Sequence, residues 1–236
     1  MKLSIIIPAL NEEKTILEVL GRVKMQELPG WEKEIILIDD GSEDMTGEIA
    51  GREDSVKLVR HGFCRGKGAA VASGLKEASG DFVLIQDADL EYDPADWPLL
   101  LQKIESGESR VVFGSRNLNP GRRGYASYVL GVWLLTKLAN ILFGARLTDI
   151  YTCYKIVPLA LAREIGVSSA GFEMEAEITA KILKRGIGIE EVPISYRPRK
   201  FSEGKKIRWR DGVRGAATLF RCRFGGLPQD EKSIKF

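Results

Sequence analysis

Asp81-Phe82-Val83-Leu84-Ile85-Gln86-Asp87-Ala88-Asp89-Leu90-Glu91 decides the reading of this chain. Phe82 to Gln86 is apolar or β-branched over most of its length, as a buried strand is. It ends abruptly in two carboxylates separated only by Ala88. In an open α/β sheet, ligands collect beyond the carboxyl ends of the strands. Asp87 and Asp89 therefore leave the sheet where a ligand would sit. Asp-x-Asp, with Glu91 two residues further on, offers the hard oxygen donors that Mg²⁺ or Mn²⁺ accepts, usually together with substrate phosphates. The bland alternative is a solvated acidic turn leading into the next helix. The rest of the chain decides between the two.

Working outward, strand and helix patterns alternate about five times. Lys2–Ile7, Glu34–Ile38, Val56–Val59, Phe82–Gln86 and Arg110–Phe113 read as strands. Between them, Ile16, Leu17, Val19, Leu20 and Val23 recur at helical spacing, with Asn11 as the expected N-cap. Ser42 is placed to cap a short helix through Ile49. Gly66-Lys67-Gly68 opens a third helix, and Pro94–Ile104 is a fourth. Such alternation predicts a mostly parallel sheet with helices on both faces. Right-handed crossovers then bring Pro8–Asn11, Asp39–Ser42, Asp87–Glu91 and Ser115–Arg116 to one edge, as walls of one cleft.

After Arg116 the pattern changes. A basic, Gly-rich stretch (residues 119–124) precedes Tyr125–Phe143, which is apolar on most faces. That segment is either a buried core helix or a helix, broken at Gly131, lying in a membrane interface. Strands follow at Tyr154–Val157 and Ile189–Tyr196, with Pro193 marking the second as an edge strand. Between them Phe172–Lys184 is a helix. Ile207–Cys222 reads as a basic amphipathic helix. The expected organisation is one catalytic domain over residues 1–223 with a loose tail at 224–236. Within it, residues 1–118 form a nucleotide-binding half and residues 119–223 an acceptor half.

Composition narrows the chemistry. At 236 residues, 44% hydrophobic and 29% charged, the chain can bury a substantial core. The net charge of +2 is unevenly spread. Residues 1–194 carry 23 basic and 29 acidic side chains, whereas residues 195–223 carry ten basic and two acidic. The basic segment predicts an anionic partner. Between Arg197 and Arg214 it interleaves only Phe201 and Trp209 as aromatics, too few for stacking on bases, so nucleic acid is not expected. Three scattered cysteines argue for a reducing, cytoplasmic compartment and against a disulfide framework. With His61 the only histidine, a His-ligated metal and a Ser-His-Asp triad are both improbable. Met1–Pro8 reads as a strand rather than a secretion signal. Gly66-Lys67-Gly68 lacks the remainder of a phosphate-loop motif, so an ATPase is not expected. Lys67 either meets a diphosphate at a helix N-terminus or belongs to a tight turn.

With these residues in place, the chain resembles glycosyltransferase family 2, whose fold is the Rossmann-like α/β type called GT-A. The resemblance is to the dolichyl-phosphate mannose synthase-like branch. It rests on Ile5-Ile6-Ile7-Pro8-Ala9-Leu10-Asn11-Glu12, Ile38-Asp39-Asp40-Gly41-Ser42, Gly66-Lys67-Gly68, Gln86-Asp87-Ala88-Asp89-Leu90, Gly114-Ser115-Arg116 and Thr152-Cys153-Tyr154-Lys155. These stretches keep the family's order over residues 1 to about 210.

The resemblance implies a nucleotide-sugar donor, GDP-mannose or UDP-glucose. Pro8, Ala9, Asn11, Glu12, Ile38, Asp40, Lys67, Asp87, Ala88, Asp89 and Arg199 would form the donor site. Asp89 and Glu91 would hold Mg²⁺ or Mn²⁺, with Glu91 replacing the family's usual Gln. Arg116 and Lys206 would join Asp87 and Asp89 in catalysis, by binding acceptor or donor phosphate. An inverting transfer to a polyprenyl monophosphate needs no general base, because the acceptor oxygen is already anionic. A sugar-hydroxyl acceptor would need one, and Glu173 or Glu175 would be its candidates. A non-catalytic module that binds a nucleotide-sugar or an acidic partner is the third reading. For the lipid acceptor, Tyr125–Phe143 and the basic helix would rest on the inner, anionic face of the cytoplasmic membrane.

Overall fold

β1 (Lys2–Ala9) carries Leu3, Ile5, Ile6 and Ile7, all fully buried. Successive side chains of a strand point to opposite faces, so both faces of β1 are covered. The sheet is built around it. The computed structural model describes residues 1–119, 125–199 and 209–225. Among these, seven strands form one sheet: β1, β2 (Glu32–Asp39), β3 (Val56–Arg60), β4 (Phe82–Ile85), β5 (Val112–Ser115), β6 (Lys155–Pro158) and β7 (Glu190–Pro193). Their order is β3-β2-β1-β4-β6-β5-β7. All neighbouring pairs are parallel except those of β6, which runs antiparallel to both β4 and β5. The expected mostly parallel sheet with helices on both faces is the observed one. β7 lies at the sheet edge, where Pro193 loses no ladder bond to a further strand. The reversal at β6 brings residues 151–154, which precede it, to the same edge as the carboxyl ends of β1, β2, β4 and β5.

The helices are α1 (Ile16–Met25), α2 (Thr46–Gly51), α3 (Lys67–Glu77), α4 (Trp97–Glu105), α5 (Ala126–Phe143), α6 (Leu159–Ile165), α7 (Met174–Lys184) and α8 (Trp209–Phe224). Several expectations are corrected here. Asn11 does not cap α1, which begins five residues later. Its backbone is left-handed, with φ of 51°. Its N–H donates to Ser42 Oγ at 2.9 Å, and its Oδ1 accepts from the Glu43 N–H at 2.9 Å. Asn11 thus stitches the loop after β1 to the loop after β2. Ser42 is used in that stitch, and α2 starts later, at Thr46. α6 was not anticipated. α5 runs unbroken through Gly131 and ends at Gly144 in a left-handed cap.

Two apolar clusters are buried. The larger fills both sides of the sheet. The smaller joins α5, α7 and α8 through Leu135, Ala139, Ala176, Ala180 and Leu219. α5 contributes only Leu135, Thr136 and Ala139 as buried residues, so it is not the core helix that one reading expected. By length and composition it is the one helix among the described residues that could cross a membrane.

Glu177 on α7 anchors the second cluster to the loop before it. Its carboxylate accepts from the Ser169 N–H at 2.7 Å, from the Ser168 N–H and hydroxyl, and pairs with Lys181 at 2.6 Å. Burial works against the charge, but these partners outweigh it and bring its pKa down to about 2. A carboxyl depressed in the folded state stabilises at pH above its unfolded value and loses that contribution as pH falls towards 2. Glu177→Gln is expected to cost roughly 3 kcal/mol at pH 7. In guanidinium titrations the deficit should shrink steadily between about pH 4.5 and pH 2.

Candidate active site

The carboxyl ends of β1, β2, β4 and β5 open into a cleft of about 530 Å³. Pro8 and Ala9, ending β1, and Ala88, after β4, line its floor. Ala88 also accepts a hydrogen bond from Thr15 Oγ1 through its carbonyl, at 2.8 Å. Ile38, expected at the donor base, does not line the cleft. Its side chain is fully buried in the sheet. Asn11 also lies outside the cleft lining, held by the stitch described above. Lys206 lies outside the described residues.

Asp40 lines the cleft with a carboxylate that is already saturated. It accepts from the Gly66 N–H at 2.7 Å, the Arg65 N–H at 3.0 Å and Cys64 Sγ at 3.4 Å. His61 Nδ1 lies 2.6 Å from Oδ1, and its Nε2 lies 2.9 Å from Ser73 Oγ. Asp40 and the only histidine thereby shape the loop over residues 61–66. Nothing local in the sequence pairs Asp40 with a residue 21 positions away.

Lys67 does not sit free at the α3 N-terminus. Its Nζ is 2.7 Å from Asp87 Oδ1 and 3.2 Å from Glu175 Oε1. Glu175 Oε2 in turn pairs with Lys155, which also donates to the Thr152 carbonyl. A largely buried row of alternating charge, Asp87–Lys67–Glu175–Lys155, thus joins the end of β4 to α3, α7 and β6. Burial opposes both charges of the first pair, but each partner outweighs it. Lys67 is held well above its ordinary value, and Asp87 is held below the usual carboxylate range. Glycine is required on both sides of Lys67. A Cβ at Gly66 or Gly68 would collide with the backbone of Ala170 or Ser169. The turn at Gly66-Lys67-Gly68 is a tight one.

Asp89 and Glu91 face the cleft around a left-handed turn at Leu90, whose φ is 62°. Both meet Arg199. Its Nη2 donates to Asp89 Oδ2 at 2.8 Å, and its Nη1 donates to Glu12 Oε2 at 3.0 Å. The Arg199 N–H donates to Glu91 Oε1 at 2.8 Å, and the Tyr196 hydroxyl donates to Glu91 Oε2 at 2.7 Å. Three carboxylates from two distant parts of the chain therefore converge on Arg199, with Glu91 Oε1 3.9 Å from its Nε. Burial, then the negative charges of Asp87 and Glu91, push Asp89 up to about 7, with Arg199 pulling the other way.

No group of three His, Cys, Asp or Glu among the described residues forms a ready cation cage. The donors present are carboxylate oxygens, the type that suits Mg²⁺ or Mn²⁺. Such ions are commonly held by one or two carboxylates plus phosphate oxygens. Asp89 fits that role. Glu91 stands beside it with both oxygens engaged by the segment 196–199.

Arg116 is fixed by Asp149, which is fully buried, through Nε at 2.6 Å and Nη2 at 2.8 Å. Its guanidinium lies over the Tyr196 ring, 5.1 Å from the centroid. Nη1 has no protein partner among the described residues, leaving it for a ligand in the cleft. Of the two carboxylates considered as bases, Glu173 does not line the cleft, and Glu175 has its oxygens against two lysines. The remaining wall is apolar and aromatic. It comprises Tyr125, at the start of α5, Tyr128, Val129 and Val132 on α5, and Phe172 before α7.

A mostly parallel α/β sheet with paired acids at a strand end, cations facing them and apolar groups lining the same cleft is an architecture of the GT-A type. The sequence profile of Glycosyl transferase family 2 matches residues 4–160, and the chain belongs to that family. It is 29% identical over 203 residues to the low-salt glycan biosynthesis hexosyltransferase of Haloferax volcanii, covering 84% of this chain and 48% of the relative. It is 39% identical over 125 residues to the dolichol-phosphate mannosyltransferase of Pyrococcus furiosus, covering 52% of this chain and 35% of that protein. The chain thus spans half or less of the length of these two relatives. The undecaprenyl-phosphate mannosyltransferase of Micrococcus luteus matches along almost its whole length. That match is 28% identical and covers 95% of this chain and 94% of the relative. Among solved structures, glucosyl-3-phosphoglycerate synthase from Mycobacterium tuberculosis, crystallised with Mn²⁺, UDP and glucosyl-3-phosphoglycerate, has a TM-score of 0.73. That likeness, at 24% identity over 97% of this chain and 81% of that one, concerns the fold.

Proposed function

We propose that this protein transfers a hexose from GDP-mannose or UDP-glucose to a polyprenyl monophosphate, with inversion at the anomeric carbon. One observation carries the reading. The cleft is lined both by the charged Asp87, Asp89 and Arg116 and by the aromatic, apolar start of α5. A charged donor suits the first set of groups, and a lipid chain suits the second. The names of the Pyrococcus and Micrococcus relatives, mannosyltransferases to dolichol and undecaprenyl phosphate, support the acceptor class.

The residues' roles follow from charge. A bound Mg²⁺ or Mn²⁺ would neutralise the leaving diphosphate, with Asp89 to hold it and Glu91 beside it. Pro8, Ala9 and Ala88 give the nucleotide a close-packed floor. Asp40 presents the 61–66 loop to the base. Asp87, kept ionised by Lys67, faces the ribose and diphosphate. Arg116 offers Nη1 to the acceptor phosphate, while Asp149 holds the rest of its guanidinium still. Arg199 moves off Asp89 as the donor enters, and its charge then serves a phosphate. The acceptor oxygen is anionic and attacks without a base. Glu175 is tied into the charge row, with Oε2 paired to Lys155 and Lys67 3.2 Å from Oε1, and is not set up as a base, which favours this acceptor over a sugar hydroxyl.

Access to a lipid also calls for a membrane. α5 exposes Leu130, Trp133, Leu134 and Ile141, with Lys137 beside Trp133. α8 exposes Trp209, Val213, Phe220 and Phe224 among Arg210, Arg214, Arg221 and Arg223. Apolar side chains ringed by arginine suit the anionic inner face of the cytoplasmic membrane.

The test is a melting panel with GDP, UDP, CDP and their sugars, each with and without Mn²⁺. One nucleoside diphosphate should raise the melting temperature, and more so with Mn²⁺, by mass action. Its sugar nucleotide should then donate hexose to a short-chain polyprenyl phosphate. No shift with any nucleotide would remove the transferase reading and favour a binding module for acidic partners.

A further inference from the structure

The wall of the cleft between Asp87 and α8 holds a group that the roles above leave unused. Tyr151 follows Asp149 and precedes β6, and it is only 8% exposed. Its backbone N–H is held by Asp149 Oδ1 at 3.2 Å, so the carboxylate that clamps Arg116 also positions Tyr151. Its hydroxyl is buried and has no hydrogen-bond partner. Leaving such a group unpaired is costly, and buried hydroxyls are nearly always satisfied. The ring lies against Gly215 of α8, where any Cβ would overlap the phenol oxygen. Only glycine lets α8 close over this residue. Tyr151 lines the cleft with Glu175, Asp211 and Arg214. Glu175 Oε1 is buried too, facing Lys67 at 3.2 Å without hydrogen-bond alignment. A phenol hydroxyl, carboxylates and an arginine on one wall are groups that recognise neutral hydroxyls on a ring.

We infer that Tyr151 Oη and Glu175 Oε1 form a subsite for hydroxyl groups of the transferred hexose, with Tyr151 as a specificity-determining residue. This rests on the donor reading above and deepens it. Lys67 bridges Glu175 of this subsite to Asp87, where the diphosphate would end. Burial and the carboxylates of Glu175, Glu173 and Asp211 push the phenol well above its ordinary value, so the proton stays on Tyr151 for donation.

The test is Tyr151→Phe, which removes one atom and keeps the ring. Affinities of wild type and variant are measured calorimetrically with Mn²⁺ for GDP, UDP, GDP-mannose and UDP-glucose. The variant should bind the sugar nucleotide about tenfold more weakly, the equivalent of one lost hydrogen bond. Its affinity for the bare nucleoside diphosphate should be unchanged. Free of ligand, it should melt no lower than wild type, because the lost hydroxyl had no partner. Equal affinity of both proteins for the sugar nucleotide, with the bare nucleotide still bound, overturns the subsite alone. A lower melting temperature of the free variant also overturns it, making the hydroxyl structural. Failure of wild type to bind any of the four overturns the donor reading, and the subsite with it.

Discussion

Lys67→Met is expected to lower stability by about 3 kcal/mol, because it strands Asp87 without its counter-charge in a largely buried position. Methionine keeps the length and apolar stem, so packing against α3 changes little. Glu175 keeps Lys155, which makes Asp87 the principal casualty. The measurement is the guanidinium midpoint at constant slope. The pH dependence gives the claim its sign. In the wild type, Asp87 is held below the usual carboxylate range, so its contribution is present above about pH 4 and is lost as pH falls through its folded value. Lys67 is held above its ordinary value, so its contribution is present below about pH 10 and is lost as pH rises beyond. The gap between wild type and variant should therefore be widest between those limits and close under acid. A gap that is constant down to pH 2 would mean that packing, not charge, was lost.

Asp89→Ala should reduce hexose transfer by about 10³-fold or more, the equivalent of several kcal/mol of charge stabilisation at the leaving diphosphate. The fold should survive. In the free protein Asp89 is pushed up to about 7, so above that pH its ionised form is held at a cost. For a carboxyl raised in the folded state, stability falls as pH climbs from about 4 to 7. That part of the slope should vanish in the variant. Arg199 retains Glu12 and Glu91 as partners. A variant that melts like the wild type at pH 8 and still transfers hexose would remove Asp89 from the reacting phosphates.

These two residues also mark what a sequence can disclose. Asp89 was legible because two local signals coincide in it: an apolar run that must be a buried strand, and acids at the end of that run. β1, β2 and β4 were legible for the same reason. Lys67 reads from the sequence as meeting a diphosphate or sitting in a tight turn, and its pairing with Asp87 and Glu175 was not legible, because those partners lie 20 and 108 residues away. The cap assigned to Asn11 failed similarly. The residue type suits a cap, but a contact with Ser42 and Glu43 across the loops holds it instead. β6 has the composition of any core strand, so its reversed direction could not be read from its own residues. Tyr151 carries no sequence signal at all. Its interest comes from a hydroxyl left unpaired by everything packed around it.

By itself, the sequence determined the alternating α/β architecture, the edge at which the cleft lies, the acidic pair in it and the basic character of the C-terminal segment. These depend on the period of apolar residues and on the order of motifs, which are local properties. Only the tertiary structure decided which charges meet: Lys67 with Asp87 and Glu175, Arg199 with Glu12, Asp89 and Glu91, Arg116 with Asp149. The reason is range. Burial decides whether a charge needs a partner, but the sheet order and the reversal at β6 decide which partner is within about 3 Å.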